Sequence, residues 1–439
     1  MARLISCVLI GLALPAWVSG QQPTVLAERF DPGAEYRVNT RVNLRGDLLI
    51  PVDNEKPKRV EMNGRSTIDY DERVLKTDDP ALSRSIRQYR TIDFRRQTGD
   101  RPQEISLRAD VKRLVVMKRN TNKVCFSPDG PLTWGEIDML RTDIFVPSLA
   151  GLLPEKPLKP GDSWRASEAA IAELTDLDKI EHGFLTGKYE LEETIGGRRV
   201  AHITFSGELT GVNEDGPNRQ KLTARLYFDL KDNFISYLSI NGEHILLDKD
   251  GKENGKVAGE FVMSRQPNVR NPNLEDAELA KITLEPNAQN TMLLYEEHDL
   301  GVRLLHPRRW RIGRVARGQI TLDETNGSGL LITVEPLTRV PTAEAYLKEA
   351  QGFLEKQQAK NTRVSRPVRL SNAPTELDQF AIDAEVADQR VIMDYLIARQ
   401  PNAGATFAAR ILETDREALI REVERIARSL TLTKQHLGK

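Results

Sequence analysis

Residues 199–212 read RVAHITFSGELTGV, and this stretch decides the architecture. Ala201, Ile203, Phe205 and Leu209 alternate with His202, Thr204, Ser206 and Glu208. A period of two puts the first set on one face of an extended chain and the second on the other, as in a strand with one buried side. On either side lie IGGRR (195–199) and NEDGPN (213–218), whose glycines, asparagines and aspartate suit tight hairpin turns. Strands joined by turns this short must run antiparallel.

The same alternation extends outward through 36–50, 60–74, 85–96, 105–117, 182–195, 221–230, 234–247 and 256–265. These strands predict one large, curved, open barrel-like antiparallel sheet over residues 24–270. Its pattern is interrupted at 126–178. There Thr133 and Glu136 form a capping box ahead of Trp134, Ile137 and Leu140, and ASEAAIAELTDL predicts a short helix from Ser167. A polar, proline-bearing segment at 271–289 reads as a linker. Beyond it, residues 290–434 alternate strands with two amphipathic helices, TAEAYLKEAQGFLEKQ and TDREALIREVERIARSL. The first predicts an apolar stripe of Tyr346, Leu347, Ala350, Phe353 and Leu354. The second carries Leu419, Ile420, Val423, Ile426, Ala427 and Leu430 behind a capping box of Thr414 and Glu417. The fold class expected is therefore α+β: a β-rich domain with a helical insertion, then an α/β sandwich with an antiparallel sheet.

At 439 residues the chain is long enough to stabilise two domains by burial alone. Its 63 Lys and Arg balance 64 Asp and Glu, which gives no field favouring nucleic acid. Residues 1–20 have the layout of a secretory signal peptide: Arg3, an apolar run from Leu4 to Trp17, then Val18-Ser19-Gly20. Export to the periplasm, cell envelope or extracellular space is the expectation. No later stretch is apolar enough to span a bilayer. Cys7 would leave with the signal, so Cys125 would stand alone and form no internal disulfide.

The densest chemistry lies in CFSPDGPLTWGEIDML (125–140). Cys125, Asp129, Trp134 and Glu136 make the candidate ligand corner, because a helical insertion over a sheet mouth is where pockets form. Each residue also has a structural reading. Cys125 is a small buried hydrophobe, Asp129 a turn former before Gly130-Pro131, Glu136 a cap and Trp134 a plug at the end of the sheet. The six histidines are scattered without a metal-ligand spacing, and no nucleophile elbow or phosphate-binding loop occurs. No catalytic residue, metal or cofactor is expected. DKDGKENG (248–255) reads as a hairpin turn. Arg84, Arg87, Arg90, Arg95 and Arg96, interleaved with Tyr89 and Phe94, have the composition of a surface that binds polyanions or sugars; with Ile92 and Phe94 supplying a core side, they read instead as a solvated outer face.

Two resemblances bear on function. GVRLLHPRRWRI, VEPLTRVPTAEAYL and the closing IARSLTLT resemble the PsbP-like family over about 292–434. That resemblance implies an α/β/α sandwich, a protein-binding or assembly role and no common catalytic set. SPDGPLTWGEIDML, LLPEKPLKPGDSW and AELTDL are similar to exported, planctomycete-type β-rich domains, which implies an envelope location. Together these readings predict a non-enzymatic envelope protein that binds or assembles with a protein partner. The alternative is a carrier of a lipid or other hydrophobic ligand on the concave face of the N-terminal sheet, and a cryptic hydrolase ranks last.

Overall fold

The computed structural model describes residues 23–50, 57–79, 81–120, 122–214, 216–372, 374–401 and 403–433. The expected signal peptide, with Cys7, lies outside the described residues. Strands account for 56% of the chain and helices for 16%, a β-rich α+β fold in which the described ladders are antiparallel. Two compact units divide the described chain. One takes residues up to Arg29 and Val146–Ser264; the other takes Phe30–Phe145 and everything from Arg265.

In the first unit, Lys179–Ile195, Arg198–Asn213, Gly216–Asp229, Phe234–Leu247 and Glu253–Pro267 form a meander of hairpin neighbours. The opening stretch behaves as its period demands: Ala201, Ile203, Phe205 and Leu209 are buried while His202, Thr204 and Ser206 are not. Helix Glu168–Thr175, started by Ser167 Oγ accepting the Ala170 amide, packs near this face. Trp164 opens the short strand Ser163–Arg165, donates from Nε1 to the Leu152 carbonyl at 2.8 Å and meets Phe205 edge-on at 6.0 Å. That packing requires Gly187, since a Cβ there would lie 2.7 Å from Trp164 and 2.8 Å from Phe205. At the predicted turn, the Asp248 carboxylate accepts the amides of Asp250 and Lys252.

In the second unit the strands Asn122–Phe126, Arg113–Arg119, Leu82–Thr98, Lys58–Val74 and Glu35–Ile50 lie side by side in that order. The strand expected at 105–117 is broken. Arg101–Ser106 folds back on Leu82–Thr98, and a 3-10 turn at Ala109–Val111 separates it from Arg113–Arg119. Within Leu82–Thr98 a β-bulge inserts Arg90, because Tyr70 pairs with Tyr89 while Asp69 pairs with Thr91.

The C-terminal sandwich carries an eight-stranded antiparallel sheet with one helix on each face. Helix Arg416–Ser429 buries Leu419, Val423 and Ile426 against Leu396, Phe407 and Ile411. Helix Ala343–Lys356 covers Phe380, Ile382, Tyr395 and Ile397 on the opposite face. Three expectations need correction here. Phe353 is 53% exposed and outside the stripe. The Thr414–Glu417 capping box is not formed: Asp415, at the N-cap, is left-handed (φ 60°), whereas a capping side chain needs extended backbone there. RVSRPVRL (363–370), whose sequence reads as one strand, forms parts of two, Lys360–Val364 and Val368–Ser371, because Pro367 cannot donate to the ladder.

The segment expected as a linker is packed. Leu274 and Leu279 are buried against Leu75, Ile86, Val115 and Phe126. Arg73 donates to the Leu274 carbonyl at 2.6 Å and to Asp276 at 2.5 Å, and Asn271 Nδ2 donates to Asp71 at 3.0 Å. It is a strap across the strands. Among the described residues no helix is long and apolar enough to cross a membrane.

Candidate functional site

The four residues of the expected corner sit on one short segment, and each meets a different arginine. Helix Trp134–Arg141 starts as predicted, with Thr133 Oγ1 accepting the Glu136 amide. Glu136 has no spare lone-pair direction for a ligand. Oε1 accepts the Arg108 amide (3.1 Å) and Nε (2.8 Å), and Oε2 accepts Arg108 Nη2 (2.7 Å) and the Thr133 amide (2.8 Å). Asp129 takes a bidentate pair from Arg113 at 2.5 and 2.9 Å. Cys125 is buried, and its backbone carbonyl accepts from Arg308. Trp134 is half-buried under the Arg311 guanidinium, 3.6 Å above its ring, while Ile137 and Leu140 are buried. Leu132 bridges to Leu293, and its carbonyl accepts the Leu294 amide at 2.7 Å. The corner is thus where the sandwich joins the strands of its unit, through Leu132, Arg308 and Arg311. His306, the last residue of strand Val302–His306, is fully buried, and burial holds its imidazole below its ordinary pKa.

A second assembly escaped the sequence reading. Arg87, expected on a solvated face, is 2% exposed. Its Nε donates to Glu72 at 3.1 Å, Nη1 to Asp143 at 2.7 Å and Nη2 to the Ile144 carbonyl at 3.0 Å. The guanidinium lies 4.5 Å from the Tyr70 ring centroid, and Tyr89 OH donates to Asp143 at 2.8 Å. Desolvation pushes the Asp143 carboxyl up and Arg87 opposes that rise. This cluster is dry and closed.

The third assembly is open. On the other face of the same strands Asp71 takes Arg37 at 2.7 and 3.3 Å, with Arg90 3.9 Å away. Here, beside the strap, lie two adjoining clefts of about 780 and 410 Å³. Glu35, Arg73, Glu275 and Asp276 line the larger; Arg37, Asp71, Arg90 and Lys112 line the smaller; Arg270 belongs to both. Sequence reasoning placed Arg90 in a basic region and Arg270 in or beside a polar linker, with nothing to bring them together. The available signal was IDYDERV (68–74), where Asp71 and Glu72 occupy opposite parities of one strand.

No family model and no curated protein matches the chain, so the expected planctomycete-type resemblance finds no counterpart. Among solved structures it is similar to the Ran-binding protein Mog1p of Saccharomyces cerevisiae, at 8% identity and a TM-score of 0.27, covering 33% of this chain and 96% of that one. It is similar to the cyanobacterial PsbP of Synechocystis at 10% identity and a TM-score of 0.26, covering 33% and 93%. Lipovitellin gives 9% identity and a TM-score of 0.30, covering 55% of this chain and 26% of that one. At such scores none of these likenesses carries an argument about function.

Proposed function

We propose that this chain is an exported, non-enzymatic binding protein of the cell envelope, and that the paired clefts beside the strap receive its ligand or partner. Export is supported by the arrangement of residues 1–20 in the sequence. Binding is supported by one observation above the rest: the charged clefts beside the strap are open, whereas the carboxylates of the corner helix and of the buried arginine cluster are engaged. Glu136 is saturated by four donors, and Glu72 and Asp143 are enclosed around Arg87. General acid–base work needs a group within reach of a substrate proton, and these are sealed from one. Native mass spectrometry of the full chain purified from its own envelope tests the reading. A co-purifying species displaced when Arg37 and Asp71 are both replaced supports it; turnover of a substrate would overturn it.

The second reading, a carrier of a lipid or other hydrophobic ligand, draws on a half-exposed apolar row. Val42, Leu44 and Leu48 share a face with Val60 and Phe94 across the register Leu48↔Val60 and Ser66↔Phe94. Lipid in the same mass spectrum, retained in the Arg37 and Asp71 variant, would favour it.

A further inference from the structure

We infer that the smaller cleft is an anion site, built for a doubly charged oxyanion of the kind a phosphate monoester presents; this rests on the binding reading above. The smaller cleft sets four cations, Arg37, Arg90, Lys112 and Arg270, against one carboxylate, Asp71. That carboxylate is already used: it is 4% exposed, holds Arg37 bidentately and accepts from Asn271. Arg90 is 47% exposed and only 3.9 Å from Asp71 at its nearest approach, beyond hydrogen-bond range. Among the described residues neither Lys112 nor Arg270 has a carboxylate within salt-bridge distance. Lys112 and Arg270 therefore border the concavity without a carboxylate partner, and Arg90 has only a long contact to the Asp71 that Arg37 already holds, an arrangement that like-charge repulsion disfavours unless an anion enters.

The placement of Arg90 is built in. It is the extra residue of the bulge between Tyr89 and Thr91, and a bulge re-aims a side chain at the cost of a ladder hydrogen bond. Arginine forks match the paired oxygens of a phosphoryl group, and Gln88 and Asn273 at the rim offer neutral donors. At about 410 Å³ the cleft has room for a small head group. The larger cleft shares Arg270 but carries Glu35, Glu275 and Asp276 against Arg73, so the anion is assigned to the Asp71 side.

The experiment titrates the full chain with inorganic phosphate, then phenyl phosphate, by calorimetry at two salt concentrations. Separate flotation with vesicles containing phosphatidic acid distinguishes a lipid head group from a free phosphate monoester. The comparison is the triple variant R90Q, K112Q and R270Q, whose side chains are exposed and whose mutual repulsion is removed, so its melting curve without ligand should lie no lower than that of the parent. The expected result is saturable, salt-sensitive binding that weakens about tenfold or more in the variant, the loss of at least one charge-assisted hydrogen bond. Binding to vesicles alone identifies the head group as the source, and binding to free phosphate alone the soluble ester. Phosphate binding unchanged in the variant, or absent from the parent, overturns the assignment. A neutral or cationic species co-purifying in the cleft, with no phosphate binding, would refute the anion assignment while leaving the binding reading intact.

Discussion

Asp71 and Glu72 are consecutive residues of one strand, and the strand's pleat sends them to opposite faces. Asp71 pairs with Arg37 across the ladder and borders a cleft; Glu72 pairs with Arg87 and sees no solvent. The same chemical pair thus occurs twice on neighbouring residues, once wet and once dry. The difference lies in what surrounds each pair. Around Arg87, Tyr70 and Phe145 supply ring faces, and Asp143 and the Ile144 carbonyl satisfy the guanidinium. Around Asp71, the strap leaves an opening. Position in the sheet decides whether an ion pair is part of the core or part of a site.

The dry pair should be the harder to break. Arg87→Leu leaves Glu72 and Asp143 buried without the guanidinium that pairs them, with only Lys123 near Asp143, and removing one partner of a buried pair typically costs ~3–5 kcal/mol. Urea unfolding of the full chain should show this as the largest loss among single replacements in these strands. Replacing Arg87, Glu72 and Asp143 together by leucine should recover much of it, since an apolar cluster has no uncompensated charge. If the triple variant is no better than Arg87→Leu, the cluster's worth lies in its geometry and not in its pairing.

Asp394 sharpens the comparison, because it is a dry carboxylate without an arginine. It is fully buried and accepts from Gln379 Nε2 at 2.9 and 3.2 Å. Desolvation raises its pKa to about 7, with Gln379 opposing the rise and Glu424 adding to it. The folded state therefore holds a proton that the unfolded chain releases near pH 4. Between about pH 4 and pH 7 the folded state binds more protons, so this group's contribution to stability falls as pH rises and is lost above about 7. Asp394→Asn should flatten that decline and stabilise the protein at pH 8 by about 2–4 kcal/mol, since each tenfold change in proton affinity is worth about 1.4 kcal/mol. Thermal melts at pH 5 and pH 8 check it, and an unchanged difference between the two would assign the pH dependence to other groups.

On the wet side, Asp71→Asn should cost about 1 kcal/mol, because Arg37 can turn to water and Asn271 can still find an oxygen. Its sharper readout is local. The strap loses its anchor at Asn271, so limited proteolysis between Gln266 and Asp276 should quicken while Leu274 and Leu279 hold the remainder. Cleavage in the unaltered chain should start elsewhere than at 272–284, since that segment is packed and not a free linker.

Much of this was legible in the sequence, and the limits are physical. Period-two alternation found the long strands, and Ser167, Thr133 and Glu136 found two helix starts, because those signals are local. Arg87, Asp143 and the strap were not legible. A buried arginine looks like any other arginine in a strand until its distant partners, here Asp143 at 56 positions along the chain, are known to be adjacent. The polar segment around Asn271 has a linker's composition, yet Leu274, Leu279, Ile282 and Leu284 within it carry the apolar contacts that dock it. Arg90 was hidden for another reason: a bulge shifts register by one residue, and pattern reading assumes that register is kept.

The smallest effect tests the rule most cleanly. Arg95 lies on the same strand as Arg87 and is also bracketed by acids, with Asp93 at 3.4 Å and Glu104 at 3.0 Å. Its side chain is 64% exposed, and Glu104 is 67% exposed, so water screens both contacts. Counting ion pairs would rank Arg95 with Arg87. Counting burial ranks it near zero, because an exposed pair returns to water when broken and leaves no charge stranded. Arg95→Ala should therefore change unfolding stability by less than about 0.5 kcal/mol and be insensitive to added salt. A loss of more than about 1 kcal/mol would mean that cross-strand charge, wet or dry, holds this sheet, and the distinction drawn between Asp71 and Glu72 would fail with it.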